Sequence, residues 1–245
     1  MNIADEFAHA ALYCPGKHAL IFGDTSYTYA EMHRIIEQVA GYLASLGVSK
    51  GDRISIYMAN RPEWIMFYYG AARLGAISVC VPGAYKRDEM TGVVNDSRSS
   101  ILVTSEALRD QLPPSGKIPS VRETIIVEHD AAFQSILRGE AAFPVQTGMK
   151  TSGDDVASIL YTGGTTGTPK GAMLTHRNLL YSAQNVAFHE RLVPDDIGVN
   201  FLPLNHVFAQ CHIMQTYFSG CATLILFPGF DMDKVVASVI ERKVT

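Results

Sequence analysis

The chain has 245 residues, 47% of them apolar, and a formal net charge of −4. That length accommodates one large α/β domain or two smaller ones, and the mild negative charge excludes the basic footprint of a nucleic-acid binder. Charged residues interrupt every apolar stretch before the roughly 20 residues that span a bilayer. The four cysteines, Cys14, Cys80, Cys211 and Cys221, show no C-x-x-C spacing. They read as buried thiols of a reducing cytoplasm. Acidic residues stand early in the chain, with no basic segment leading into an apolar core, so no secretory signal is read and the expected location is cytoplasmic.

Short runs rich in Ile and Val alternate with helical spacing along the chain. Strands are expected at 53–58, 76–81, 101–104, 124–127 and 156–161, and helices at 29–46, 61–74 and 88–96. In the first helix Ile35, Ile36, Val39, Leu43 and Leu46 form one stripe, and Gly47 ends it. In the second, Asn60 reads as the N-cap with Glu63 three residues on. The aromatic group Trp64, Phe67, Tyr68 and Tyr69 on that helix reads as packing, and so does the Leu179, Leu180, Ala183 and Val186 stripe. Positions 113–116 and 148–155 read as surface loops. Near the end, 231–240 forms an amphipathic helix with Val235, Val236, Val239 and Ile240 expected inward, and Val244-Thr245 reads as the start of another strand. Strand–helix–strand alternation of this kind predicts an α/β fold of mostly parallel sheets layered with helices.

The most informative segment is Tyr161-Thr-Gly-Gly-Thr-Thr-Gly-Thr-Pro-Lys-Gly171, which lies between two short apolar runs. It reads as strand, tight loop, strand. Glycine lets backbone N–H groups approach an anion with no Cβ in the way. Threonine hydroxyls donate to phosphate oxygens or hold a hydrated cation, and Lys170 adds a point charge. A merely flexible turn would not require so many hydroxyls and a lysine. The common nucleotide P-loop needs Gly before the Lys and Ser or Thr after it. Here Pro169 and Gly171 flank Lys170, so no helix is required to start there.

Residue for residue this loop, continued through Thr175-His176, resembles the signature of the acyl-adenylate-forming superfamily, with Gly163 where Ser is commoner. The Gly163-Gly164 form and the run Ala172-Met-Leu-Thr-His-Arg-Asn178 are similar to fatty acyl-CoA ligases. Tyr27 to Glu31, Gly47 to Asp52, Asn60, Glu63, Gly75 and Pro82 follow the order of the superfamily's N-terminal region, and they read as scaffold. The resemblance implies that Thr162, Gly163, Gly164, Thr165, Thr166, Gly167, Thr168 and Lys170 hold the β- and γ-phosphates of ATP, with Thr166 on Mg²⁺. His176 reads as serving the junction from Thr175 into a helix.

A second segment, Phe201-Leu-Pro-Leu-Asn-His-Val-Phe-Ala209, resembles the family's Leu-Pro-Leu-aromatic-His motif, with Asn205 in the aromatic place. Taken alone, His206 after an apolar strand would more often be structural. The motif around it implies a place beside the reacting carboxylate, where an imidazole donates to an acyl oxygen. Phe201, Leu204, Val207 and Phe208 are expected at the mouth of the acid's tunnel. His206, Cys211 and His212 fit no standard zinc spacing.

The function implied is activation of a fatty acid by ATP to acyl-AMP, followed by transfer to coenzyme A. Alternatives that stay open are adenylation of an aryl, amino or other acid, and a non-catalytic nucleotide-binding or interaction fragment. Expected partners are small molecules, with peripheral membrane contact left open. Because full-length members of the family are longer, 1–245 is read as an N-terminal fragment, with about 1–175 as a first lobe and about 176–245 as the start of a second. The adenine, ribose and C-terminal-domain residues would lie beyond it, leaving the fragment inactive alone.

Overall fold

Helix ends and strand ends in this chain are set by local chemistry that the tertiary structure keeps almost everywhere. The computed structural model describes residues 1–144, 150–162 and 169–245. In chain order, α1 (Ile3–Tyr13), β1 (His18–Phe22), β2 (Thr25–Thr28) and α2 (Tyr29–Ser45) lead into β3 (Arg53–Tyr57), α3 (Pro62–Arg73), β4 (Ile77–Val81) and α4 (Arg87–Ser97). Next come β5 (Ile101–Thr104), β6 (Glu123–Ile126), α5 (Ala131–Leu137), β7 (Val156–Thr162) and β8 (Lys170–Thr175). The described chain ends with α6 (His176–Glu190), β9 (Ile197–Asn200), a π-helical turn (Phe208–Gln215), α7 (Thr216–Ser219), β10 (Thr223–Leu226) and α8 (Met232–Arg242). Each strand and helix expected from the sequence pattern is present, with ends shifted by one or two residues, except that no strand forms at Val244-Thr245.

Two sheets form. One has the order β6-β5-β3-β4-β7-β8 and is parallel except for the last pair. The other has the order β2-β1-β10-β9 and is parallel except for the β1–β2 hairpin. The sheets therefore do not divide the chain near residue 175: the first hairpin, β1–β2, pairs with β10. Sequence proximity cannot reveal that, because such pairing spans some two hundred residues of chain. Helices α1, α2 and α3 pack between these layers, and Phe7, Tyr29, Trp64, Phe67, Tyr68, Tyr69 and Phe218 are all almost fully buried there. The packing reading of the aromatic helix therefore holds. Among the described residues no helix is long and apolar enough to cross a membrane.

Three expectations are corrected. Of the α8 residues expected inward, only Val235 is buried; Val236, Val239 and Ile240 are 46, 39 and 72% exposed. The helix meets its sheet along the Val235–Ser238 line, and its apolar stripe is wider than that contact. Asn60 does not cap α3. Pro62 occupies the first turn, which makes Arg61 the N-cap, without a side-chain cap bond. Cys80 and Cys211 are buried as expected, but Cys14 and Cys221 are only half-buried.

Candidate active site

Strands β7 and β8 form an antiparallel hairpin whose last paired residues are Thr162 and Lys170. The strand–loop–strand reading is thus correct at both ends. Gly163, Gly164, Thr165, Thr166, Gly167 and Thr168, which carry the phosphate and Mg²⁺ expectations, lie outside the described residues. Thr162 and Lys170 are exposed, and Lys170 opens a strand rather than a helix. Gly171 sits opposite Tyr161. A Cβ there would lie 2.8 Å from Ile159 Cγ2 and 3.1 Å from Tyr161 Cζ, so the hairpin needs a glycine at this close approach. The Tyr161 hydroxyl donates to Asp96 Oδ2 on α4. Burial, and then that carboxylate, hold the phenol well above its ordinary range. The contact ties the loop's first strand to α4.

Because β7 runs parallel to β4, its end emerges where β4 ends. The register Cys80↔Leu160, carried forward two residues, sets Thr162 level with Pro82. In parallel α/β sheets, ligands bind at this carboxyl edge. A cavity of about 230 Å³ opens there, between Met58, Ala59, Asn60 and Pro82 of one sheet and Phe201 and Asn205 beyond β9 of the other. A second hollow of about 440 Å³ shares Ala59, Asn60 and Pro228 with it, and Tyr27, Arg61 and Glu63 line its far side. Arg61 is committed there to Glu63 and Glu128.

His206 lies on the segment that leaves β9. Its amide donates to Pro203 O at 2.9 Å, and its carbonyl accepts from Gln210 N at 3.0 Å. The ring Nδ1 accepts from Phe208 N at 3.2 Å. An accepting Nδ1 carries no proton, so a neutral ring is protonated at Nε2 and can donate from that side. The side chain is exposed. Of the four residues expected at a tunnel mouth, only Phe201 lines the cavity. Leu204 is buried in the core, while Val207 and Phe208 face outward at the start of the π-helical turn. His212 stacks on Phe208 and pairs with Glu190, and the Cys211 thiol donates to Leu179 O. The structure does not bring those two side chains toward a shared ligand with His206.

Sequence reasoning missed Asn60. Its Oδ1 accepts from Leu204 N at 2.8 Å, and its Nδ2 donates to Leu202 O at 2.8 Å and Phe227 O at 3.1 Å. The available signal was Pro62: a proline in the first turn moves the cap to Arg61 and frees Asn60 for another role. Gln210 was missed as well. It is fully buried, and its amide reaches Leu204 O and Cys80 Sγ.

The family model for AMP-binding enzymes matches residues 7–245. The chain is 29% identical over 238 residues to a crotonobetaine/carnitine–CoA ligase of Escherichia coli O6:K15:H31, covering 92% of this chain and 45% of that ligase. It superposes on the N-terminal domain of FACL13 from Mycobacterium tuberculosis with a TM-score of 0.87 at 30% identity, covering 99% of this chain and 61% of that one. It also superposes on O-succinylbenzoate coenzyme A synthetase (MenE) from Bacillus subtilis, solved in complex with AMP, with a TM-score of 0.84 at 26% identity, covering 98% and 60%.

Proposed function

The chain belongs to the AMP-binding enzyme family, and from that premise we propose that the whole protein activates a fatty acid with ATP and passes the acyl group to coenzyme A. Residues 1–245 are proposed as the N-terminal part of its adenylate-forming domain. The acid's carboxylate attacks the α-phosphorus of ATP, forming acyl-AMP and releasing pyrophosphate. The thiol of coenzyme A then attacks the acyl carbon and AMP leaves. Mg²⁺ enters with ATP as part of the substrate.

One observation carries the reading. The segment with His206 leaves β9 beside a cavity at the carboxyl edge of β3 and β4, and the hairpin with Lys170 emerges at the same edge, from β7. In-line transfer needs this arrangement, because catalysis is mainly alignment and neutralisation of departing charge. Lys170 would offset charge on the leaving pyrophosphate, with Thr162 and residues 163–168 supplying backbone and hydroxyl donors and Thr166 a hard oxygen for the cation. The His206 Nε2–H would donate to an oxygen of the acid.

Fatty acid is the acid of choice because the Gly163-Gly164 loop and the His206-Val-Phe-Ala209 run both resemble fatty acyl-CoA ligases. A second reading, adenylation of another carboxylic acid, is favoured by the likeness to the carnitine and succinylbenzoate ligases and by Asn205, a polar group on the cavity wall. Acid-dependent ATP–pyrophosphate exchange by the whole protein separates them. Specificity should rise along a series of saturated acids, since each buried methylene contributes about 0.8 kcal/mol. A maximum at acetate or at an aryl acid would remove the fatty-acid assignment and leave adenylation standing. No exchange with any acid would remove both.

A further inference from the structure

Leu204 stands two residues before His206, and its peptide groups are held from both sides by side chains of other segments. Its N–H donates to Asn60 Oδ1 at 2.8 Å, and its carbonyl accepts from Gln210 Nε2 at 3.3 Å. Asn60 is only 6% exposed and Gln210 is fully buried. Asn60 follows β3 and also grips Leu202 O and Phe227 O, so one amide joins the carboxyl ends of both sheets. Gln210 reaches further. Its Nε2 lies 3.2 Å from Cys80 Sγ, and Cys80 Sγ lies 3.4 Å from Ser158 Oγ on β7, the strand that runs into the phosphate loop. The Tyr68 hydroxyl donates to Gln210 Oε1 and accepts from Gln215 Nε2.

We infer that Asn60 and Gln210 are positioning residues that set the place of His206 relative to β7 and the Thr162 end of that strand. Neither touches the reacting atoms. A buried network of this kind favours one arrangement, because displacing Asn60 or Gln210 leaves desolvated donors and acceptors unpaired. The π-helical turn supports this. Wide turns of this type are rare and occur frequently at functional sites, and here the turn places Gln210 and Gln215 on Tyr68 together. The inference rests on the proposed adenylation, in which the acid beside His206 must meet the phosphates at a fixed separation.

The test uses Asn60→Asp and Gln210→Met in the whole protein. Asp keeps the acceptor for Leu204 N–H and loses the donors to Leu202 and Phe227; Met keeps volume and loses the donor to Leu204. Exchange is measured well below each variant's melting temperature. The KM for the acid should rise about ten- to a hundred-fold in each, the cost typical of a misplaced reacting group, with little change in the KM for ATP. The double variant should lose less than the product of the two, because both hold one peptide. Lowered melting temperatures with wild-type kinetics would show a structural role only and overturn the inference, as would equal rises in both KM values. If Asn60→Asp fails to fold, Gln210→Met decides by the same criteria. A wild-type protein inactive with every acid would overturn the proposed function and this inference with it, whereas unaltered variants of an active enzyme overturn the inference alone.

Discussion

Lys170 ends a hairpin turn, exposed and with no packing role in β8, so its charge can be separated from its structural contribution. In the whole protein, Lys170→Ala should lower the adenylation rate about ten- to a hundred-fold, the equivalent of one charge-assisted hydrogen bond of about 1.5–3 kcal/mol. The melting temperature should stay within error. Unchanged exchange at saturating ATP would mark Lys170 as a solvated loop residue, and a lost thermal transition would mark it as structural. Asn60 shows how an individual residue is misread. Strand, Asn, helix is a capping pattern when viewed locally. Its real partners, Leu202, Leu204 and Phe227, are remote in sequence and meet it only because two sheets end together.

Helices α2 and α3 meet at Gly70. A Cβ there would sit 2.7 Å from Val39 Cγ1 and 3.2 Å from Val39 Cβ, and both helices are buried at that contact. Gly70→Ala gains about 1 kcal/mol of helix propensity but overpacks a core that charges about 1–3 kcal/mol for extra methylenes. The net effect should be destabilising. Gly92, in the exposed middle of α4, has nothing within 4 Å of a built Cβ. There Gly92→Ala should stabilise by about 0.5–1 kcal/mol. Urea midpoints that move in opposite directions bear this out, and a shift in the same direction refutes the packing argument. The elements themselves were legible because their causes are local. The stripe of α2 and the junction from Thr175 into α6 are present as the pattern implies, and the structure adds local capping boxes, Thr28 with Glu31 and Thr175 with Asn178. The outward face of α8 was not legible, since an apolar stripe does not say how much of it a sheet will cover.

His176 couples several layers of the molecule. It starts α6, its amide donates to Asp155 O, and its Nδ1 accepts from Ile3 N at 3.3 Å, docking α1. Burial lowers its pKa to about 4; Asp155 and Asp5 act to raise it, and the N-terminal amine and Lys50 act to lower it further. The unfolded chain binds this proton at the ordinary histidine value and the folded chain does not. The stabilisation from the neutral ring is therefore complete above the unfolded value of about 6.5 and is lost progressively as pH falls toward about 4. Between about pH 7 and about pH 5 the loss from this site is about 2 kcal/mol. Glu6, raised by burial, works in the opposite sense. The ring resonances of His176 should therefore stay unprotonated to about pH 5 while the urea midpoint falls; a ring that titrates near the ordinary value would refute the linkage.

The sequence by itself determined the α/β class, helices α2, α3, α4, α6 and α8, the strands of the larger sheet, and the two motif segments, because periodicity, caps and glycine requirements act over a few residues. Only the tertiary structure decided that β1–β2 joins β9–β10 in a second sheet, that the His206 segment and the β7–β8 hairpin emerge at one carboxyl edge, and that Asn60 and Gln210 clamp the peptide groups of Leu204. These features depend on buried hydrogen bonds between segments far apart in the chain. Their worth comes from desolvation after the layers close, and no local pattern encodes it.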